Sequence, residues 1–291
     1  MILSDDSMEF QALISLLDDP DPVAYNSVSK RIFDLGPPAV HVLEDVWEHS
    51  FDELVQSRIE QIVHHIQFED IRKKLSEWSS REENDLLDGY CIITRFQYPD
   101  VDEVKLRDQV EKIRRDVWLE LNDRLTALEI VKVFNHIFFE VHEFSQKTES
   151  GKIQDSGCYF LNNLLESRRG NSLSLGVLYV LLAEKLNLPV RGVDLPGHFV
   201  ASYMRSPELP GEMPGILFYI NPSARGAVFS RSDVELYLKQ AGIGPEEKFF
   251  IPCSSKQIIT RLLDDLKMMY DKQGDSEKAS DLKALKKILQ Y

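Results

Sequence analysis

Thiols and imidazoles are the side chains in this sequence that most readily act as nucleophiles, bases or metal ligands. The three cysteines, Cys91, Cys158 and Cys253, are widely separated and form no C-x-x-C pair. An odd number of cysteines without such spacing supports neither a disulfide framework nor a zinc site. His136 and His142 lie six residues apart, which on a helix puts them on different faces and not in a metal-binding i, i+4 pair. We therefore expect no metal and no cofactor.

The elements that would position a site are clearest in residues 159–231. A helix that is apolar nearly all round is predicted over residues 173–186, after Gly170 and ahead of Pro189, and such a helix must be buried at the centre of the fold. Asn171 or Ser172 would cap its N-terminus. Short strands are predicted at residues 190–193, 199–203 and 216–220, with a loop at residues 206–215.

Four short strings in this zone resemble the transglutaminase-like superfamily, and more narrowly its bacterial SirB-type branch. They are R-R-G before the central helix, L-P-V-R after it, P-G-H-F at a strand start and N-P at a strand end. The resemblance covers residues 125–238. It implies an α+β, predominantly helical fold with a papain-like core, in which a small antiparallel sheet packs on a central helix.

The resemblance also implies where a catalytic triad would fall. In catalytic members a Cys at the N-terminus of the central helix is held as thiolate by the helix end and a His, and an Asp orients that His. The corresponding positions here are Ser172, His198 and Asn221. Only the His is retained in kind.

Both replacements weaken the chemistry that the triad would perform. Asn221 can still accept a hydrogen bond from the imidazole, but it supplies no negative charge to stabilise an imidazolium. A hydroxyl is far less acidic than a thiol, so Ser172 needs general-base assistance. Serine hydrolases obtain it from a His with a buried Asp behind it, and that carboxylate is missing here. For Ser172 the helix N-cap is therefore the preferred role, and a nucleophile is the alternative. His198 is interpreted either as a catalytic residue or as a turn residue that donates to Asn221. Cys158 lies 14 residues before Ser172 and is a poor substitute nucleophile.

Four arginines lie near the site strings of this acidic protein. Arg168, Arg169, Arg191 and Arg225 either carry surface charge at helix ends or form a small basic pocket for an acidic side chain, a carboxylate or a phosphate. We keep them as candidate binding residues.

Helical modules are predicted on either side of the core. Residues 1–80 show short amphipathic helices in antiparallel pairs, which resemble helical repeats without a fixed period. One of these pairs consists of a helix at residues 51–66 and a helix at residues 68–78. Residues 81–252 would form the transglutaminase-like domain. Residues 253–291 fit a tetratricopeptide-like helix pair, which is mildly basic, with 8 basic and 6 acidic residues from Ser254 onward. We expect this tail to dock on the acidic body, in cis or in trans.

Composition and charge limit the possible partners. The chain has 291 residues, 43% of them hydrophobic, and a formal net charge of −14, so it is globular and a poor binder of nucleic acid. Its longest apolar stretch is too short to cross a membrane, and the N-terminus shows no export signal. The expected location is the cytoplasm, with a protein or peptide as the partner.

Two classes of function follow from these residues. The first is a catalytically degenerate transglutaminase-like protein, a pseudoenzyme that acts as a protein-interaction or regulatory module. The second is an amide or ester hydrolase or acyltransferase that uses Ser172, His198 and Asn221, with the backbone N–H groups of Ser172 and Leu173 as oxyanion donors. A purely structural helical scaffold is a third possibility.

Overall fold

The computed structural model describes residues 4–147, 156–205 and 215–290. The chain divides into two compact units, Met1–Glu77 and Trp78–Tyr291, and the C-terminal helix pair belongs to the second unit. The predicted loop at residues 206–215 lies, except for its last residue, outside the described residues. Within the described ranges, no helix combines the length and the apolar character needed to span a bilayer.

The first unit is built from helices that pack on one apolar core. Its helices are α1 (Ser4–Ile14), α2 (Pro22–Leu35), α3 (Val40–His49) and α4 (Glu53–Ser79). Asp21 caps α2 by accepting a hydrogen bond from the N–H of Val23 at 2.9 Å, with Pro22 at the first helical position. The core consists of Phe10, Leu17, Val28, Ile32, Ala39, Leu43, Ile59, Ile62 and Ile66.

The helix α4 corrects one prediction. The sequence indicates two helices, at residues 51–66 and 68–78, but the structure has one helix of 27 residues. The proposed break at Gln67 has no glycine, proline or capping residue, and glutamine is a good helix former, so nothing there stops the helix.

The second unit contains eight α-helices among its described residues. They are α5 (Leu86–Gln97), α6 (Glu103–Glu120), α7 (Ala127–Asn135), α8 (Leu161–Ser167), α9 (Ser172–Lys185), α10 (Arg231–Gln240), α11 (Ser255–Gln273) and α12 (Ser276–Ile288). A π-helical turn, His136–Val141, directly follows α7. The central helix α9 is buried from Leu173 to Ala183, which confirms its predicted position in the core.

Two small sheets complete the unit. The strands β1 (Ser145–Gln146) and β2 (Arg169–Gly170) pair in parallel. The strands β3 (Val190–Leu195), β4 (His198–Met204), β5 (Ile216–Asn221) and β6 (Ala227–Phe229) form an antiparallel sheet in that order. The three predicted strands are confirmed, whereas β1, β2 and β6 are too short for a sequence pattern to show. The predominantly helical α+β class is confirmed.

The four-stranded sheet lies between two helical layers. On one face, the Phe199 ring fits between α9 and β3, where a Cβ on Gly176 or on Gly192 would lie 2.5 Å from that ring. On the other face, Val193 and Val200 pack with Val234 and Leu238 of α10. Successive residues of a strand point to opposite faces, so residues on β4 alternate between these two layers.

The C-terminal helix pair docks in cis. Helix α11 contacts α5, and its Ile258 lies beside Gly192. The backbone N–H of Cys253 donates to the carbonyl of Gly192 at 2.8 Å, which covers part of the free edge of β3. Most apolar side chains of the pair are buried, among them Ile259, Leu262, Leu266, Leu282 and Leu285.

We predict that Gly176→Ala destabilises the second unit although alanine is the better helix former. The added Cβ would lie 2.5 Å from Cδ1 of Phe199, so the packing must shift, at a cost of about 1–3 kcal/mol. The check is a lower midpoint of urea-induced unfolding. Gly244→Ala is the matched control, because its Cβ would meet no atom within 4 Å. A higher midpoint for Gly176→Ala would contradict the close packing.

Candidate functional site

The N-terminus of α9 is held by a reciprocal pair of hydrogen bonds. The Asn171 side chain accepts from the N–H of Ser174 at 2.8 Å, and the Ser174 hydroxyl accepts from the N–H of Asn171 at 3.0 Å. Asn171 is therefore the N-cap. Ser172 occupies the first helical position, so its interpretation as the cap is wrong.

Ser172 lies on the side of α9 that faces the sheet. It is four residues before Gly176, and residues four apart share one helix face. Gly176 packs against Phe199 of β4. The half-buried Ser172 hydroxyl makes no hydrogen bond to any residue that the structure describes. By helix geometry, the N–H groups of Ser172 and Leu173 have no acceptor within the helix.

His198 begins β4 directly after a tight turn. Pro196 and Gly197 form the turn, with a positive φ of 75° at the glycine, and His198 pairs with Leu195 across the hairpin. Because Phe199 points toward α9, strand alternation turns His198 to the opposite face. Its exposed imidazole contacts the ring of Tyr237 on α10 edge-on, with the centroids 5.4 Å apart.

Asn221 ends β5 and caps the turn that follows. Its Oδ1 accepts from the N–H of Ser223 at 3.1 Å, from the hydroxyl of Ser223 at 2.7 Å and from the N–H of Ala224 at 3.3 Å. The carboxamide oxygen is thus engaged in capping the 3-10 turn Pro222–Ala224. No hydrogen bond joins Asn221 to His198 within the described ranges.

The three triad positions lie on elements that pack together, but no hydrogen bond joins them within the described ranges. The β3–β4 hairpin returns toward the N-terminal end of α9, since Phe199 contacts Gly176 in its first half. The side chains diverge there, with Ser172 on the α9 side of the sheet and His198 on the α10 side. The catalytic roles of Ser172, His198 and Asn221 stay a prediction.

The four candidate arginines have separate partners. Arg169 donates to the hydroxyl of Ser145, and Arg225 forms an ion pair with Glu140. Arg191 donates to the carbonyl of Val190 at 2.8 Å. These contacts show no shared basic pocket among the described residues, and the binding role of the four arginines stays a prediction.

Arg168 is the most constrained of these arginines. It has a positive φ of 59° and its guanidinium lies 4.8 Å from the centre of the Phe144 ring. Burial lowers the pKa of its guanidinium, and Nη1 is buried without a hydrogen-bond partner in the described structure. Its charge also contributes to lowering the pKa of the neighbouring His142.

The cysteines do not substitute for the missing nucleophile. Burial raises the pKa of Cys91 to about 12 and that of Cys253 to about 11, so both are protonated thiols at neutral pH. Cys158 is buried in the 3-10 turn Ser156–Tyr159. No cluster of three or more His, Cys, Asp or Glu side chains able to hold a metal ion occurs in the parts of the chain described.

Three hydrogen bonds around the site escape the sequence patterns. Tyr237 donates to the carbonyl of Pro196 at 2.6 Å, which ties α10 to the hairpin turn beside His198. Asn135 accepts from the buried Tyr179 hydroxyl at 2.9 Å and donates to the carbonyl of Gly226 at 3.0 Å. The partners are 41 to 91 residues apart, so no local signal could reveal them.

A family model described as the transglutaminase-like superfamily matches residues 104–264, more than half of the chain. The chain belongs to the transglutaminase-like superfamily. The match includes α9 and the strands β3 to β5, and so the positions of Ser172, His198 and Asn221.

Relatives with SirB1 and UPF0162 names confirm the predicted SirB-type branch. A UPF0162 protein of Pasteurella multocida is 30% identical over 42% of this chain and 42% of its own length. Protein SirB1 of Salmonella typhimurium is 24% identical over 71% of this chain and 73% of its own, and UPF0162 protein YchA of Escherichia coli is 25% identical over 69% and 70%. The first of these alignments spans less than half of that relative. No solved structure matches the chain.

We predict that Asn221 acts as a turn cap, so that removing its acceptor costs stability. Asn221→Ala leaves three donors without their acceptor and should lower the free energy of unfolding by about 1–2 kcal/mol. Asn221→Asp keeps an acceptor oxygen and is the matched control, expected to stay within about 0.5 kcal/mol of the wild type. Equal losses in the two variants, measured by urea unfolding, would contradict a capping role.

We predict that His142 makes the stability of the second unit depend on pH. Its Nε2 donates to Asp116 at 3.0 Å. Burial lowers the pKa of His142 below 6.5, and the charges of Arg168 and Lys112 lower it further, whereas Asp116 opposes this by raising it. The unfolded chain then binds the proton more readily, so stability is full above about pH 6.5 and falls as the pH drops below it.

The measurement compares the wild type with His142→Gln, which donates to Asp116 but does not titrate. Urea midpoints between pH 7.5 and 5 should fall more steeply in the wild type than in the variant. Other titrating groups contribute equally to both proteins, so parallel pH profiles would refute the role of His142.

Proposed function

We propose that this chain is a catalytically degenerate transglutaminase-like protein that acts as a protein-interaction or regulatory module. The observation that carries the proposal is the direction of His198, whose imidazole contacts Tyr237 on the α10 side while Ser172 lies on the α9 side. A serine hydroxyl does not ionise at a helix end alone, so without a base in hydrogen-bond contact it is not an effective nucleophile.

The state of Asn221 supports the same proposal. Its acceptor oxygen already receives three hydrogen bonds from Ser223 and Ala224. It is neutral, so it would not stabilise an imidazolium even if it reached the ring. His198, which would be the base, thus packs against Tyr237, and Asn221, which would orient it, caps a turn.

The second candidate is an amide or ester hydrolase that uses Ser172. The free hydroxyl at the first position of α9, next to unpaired backbone N–H groups, favours it. This activity requires His198 to leave Tyr237 and cross to the α9 side of the sheet. A regulatory partner that moves the hairpin would be needed for that change.

We predict that a fluorophosphonate probe does not label Ser172. The hydroxyl lacks a base, so phosphonylation should proceed no faster in the wild type than in Ser172→Ala, as read by mass spectrometry of the peptide that contains residue 172. A known serine hydrolase in the same tube controls for probe quality. Labelling that is lost in Ser172→Ala would establish the nucleophile and overturn the proposal.

A thiol placed at the same position reports directly on the imidazole. In Ser172→Cys, the pKa of the new thiol is obtained from the pH dependence of its alkylation by iodoacetamide. The helix N-terminus lowers a thiol pKa by itself, so the matched control is Ser172→Cys with His198→Ala. We expect the two values to agree within about 0.3 units, since His198 faces α10. A value lower by about 1 unit or more with His198 present would show an ion pair.

The interaction role has its own measurement. A partner captured with the full chain should be recovered intact, and to the same extent, with Ser172→Ala. A partner that is cleaved or modified only by the wild type would favour the hydrolase or acyltransferase alternative.

A further inference from the structure

A large groove lies along the C-terminal helix pair, away from the triad positions. It has a volume of about 960 Å³ and is lined by the segment 248–253, α11, α12 and Asp194 of β3. We call it the α11–α12 groove. Ser172, His198 and Asn221 do not line it.

The groove offers apolar surface to a ligand. Ile251 and Met268 line it and are about half exposed, at 51% and 52%. Phe249, Leu263 and Leu282 continue the apolar lining at depth. A ligand with one or two apolar side chains would therefore remove exposed hydrocarbon from water.

The charged lining of the groove is positive, although the chain carries −14. Six cationic side chains line it, against three carboxylates. Each of the three carboxylates has a cationic partner: Asp194 and Asp265 share Arg261, each at 3.0 Å, and Asp264 lies 2.7 Å from Lys286. The N–H of Arg261 Nε is not aligned with Asp265, so that second contact is an ion pair without a hydrogen bond.

Two lysines that line the groove have no ion-pair partner of this kind in the described part of the chain. Lys283 and Lys287 are one helical turn apart on α12, on the same face. Neither has a carboxylate within ion-pair distance among the residues that the structure describes. Two ammonium groups beside an apolar floor, on an acidic protein, are complementary to a ligand with carboxylates around an apolar side chain.

We propose that the α11–α12 groove binds an acidic peptide segment of a partner protein, with carboxylates on Lys283 and Lys287 and an apolar side chain against Ile251 and Met268. The volume is at the upper limit of pockets that hold small molecules, and an open groove of this size suits a run of several residues. The proposal names a partner for the interaction role, but the binding is measured at a different site and does not depend on Ser172.

The test uses a fluorescein-labelled peptide, Asp-Glu-Leu-Asp-Glu-Phe-Asp-Glu, and its neutral analogue with Asn and Gln in place of the acids. Fluorescence anisotropy of the full chain should show saturable binding of the acidic peptide, weaker by about tenfold or more for the analogue. Rising salt concentration should weaken the binding of the acidic peptide and leave the binding of the analogue unchanged. The variant Lys283→Glu with Lys287→Glu should lose at least about tenfold in affinity.

The matched control is Lys105→Glu with Lys239→Glu, which changes the net charge equally at exposed lysines outside the groove. It should bind within about twofold of the wild type, and circular dichroism should show that both variants are folded. Equal binding by the two variants, equal binding of the neutral analogue, or no binding of the acidic peptide at 1 mM would each overturn the proposal. Displacement by millimolar phosphate as effective as by unlabelled peptide would also overturn it, because the groove would then be a simple anion site.

Discussion

The packing of Phe199 between two glycines determines the geometry of the whole candidate site. Gly176 on α9 and Gly192 on β3 leave a gap that the Phe199 ring fills. A Cβ at either position would lie 2.5 Å from that ring, so both positions need glycine. This contact sets the distance between the central helix and the sheet. It also sets which face of β4 points to α9, because the side chains of a strand alternate. His198, the neighbour of Phe199, must then face α10.

Bringing His198 to Ser172 would therefore disturb more than one side chain. A slip of β4 by one residue would place the imidazole on the α9 side, but it would also move Phe199 out of its gap and every later residue to the wrong face. Losing the burial of one phenylalanine side chain alone costs about 1.5–3 kcal/mol. Ala201 and Tyr203, which are buried on the α9 side, would be displaced with it. The observed direction of the imidazole is thus a consequence of core packing.

The sequence predicts those parts of the fold that depend on local signals. Gly170 and Pro189 lie on either side of α9, as predicted. The start of α10 also carries a local signal, because Ser230 and Asp233 form a capping box. Strands β3 to β5 follow from β-branched and aromatic runs. Strand β6 does not, because Ala227–Phe229 is short and largely exposed, and its pairing with β5 is a tertiary contact. The π-helical turn after α7 has no local signature either.

The candidate site shows the same division at the level of side chains. The short strings place Ser172, His198 and Asn221 correctly on a helix start, a strand start and a strand end. They also imply that His198 and Phe199 point to opposite faces, since the two are adjacent in a strand. They do not say which of the two faces α9. That choice depends on Gly176 and Gly192, which are 16 residues apart and reveal their common contact only in the folded chain. A motif therefore locates a residue along the chain, while the packing of its neighbour decides what the side chain can reach.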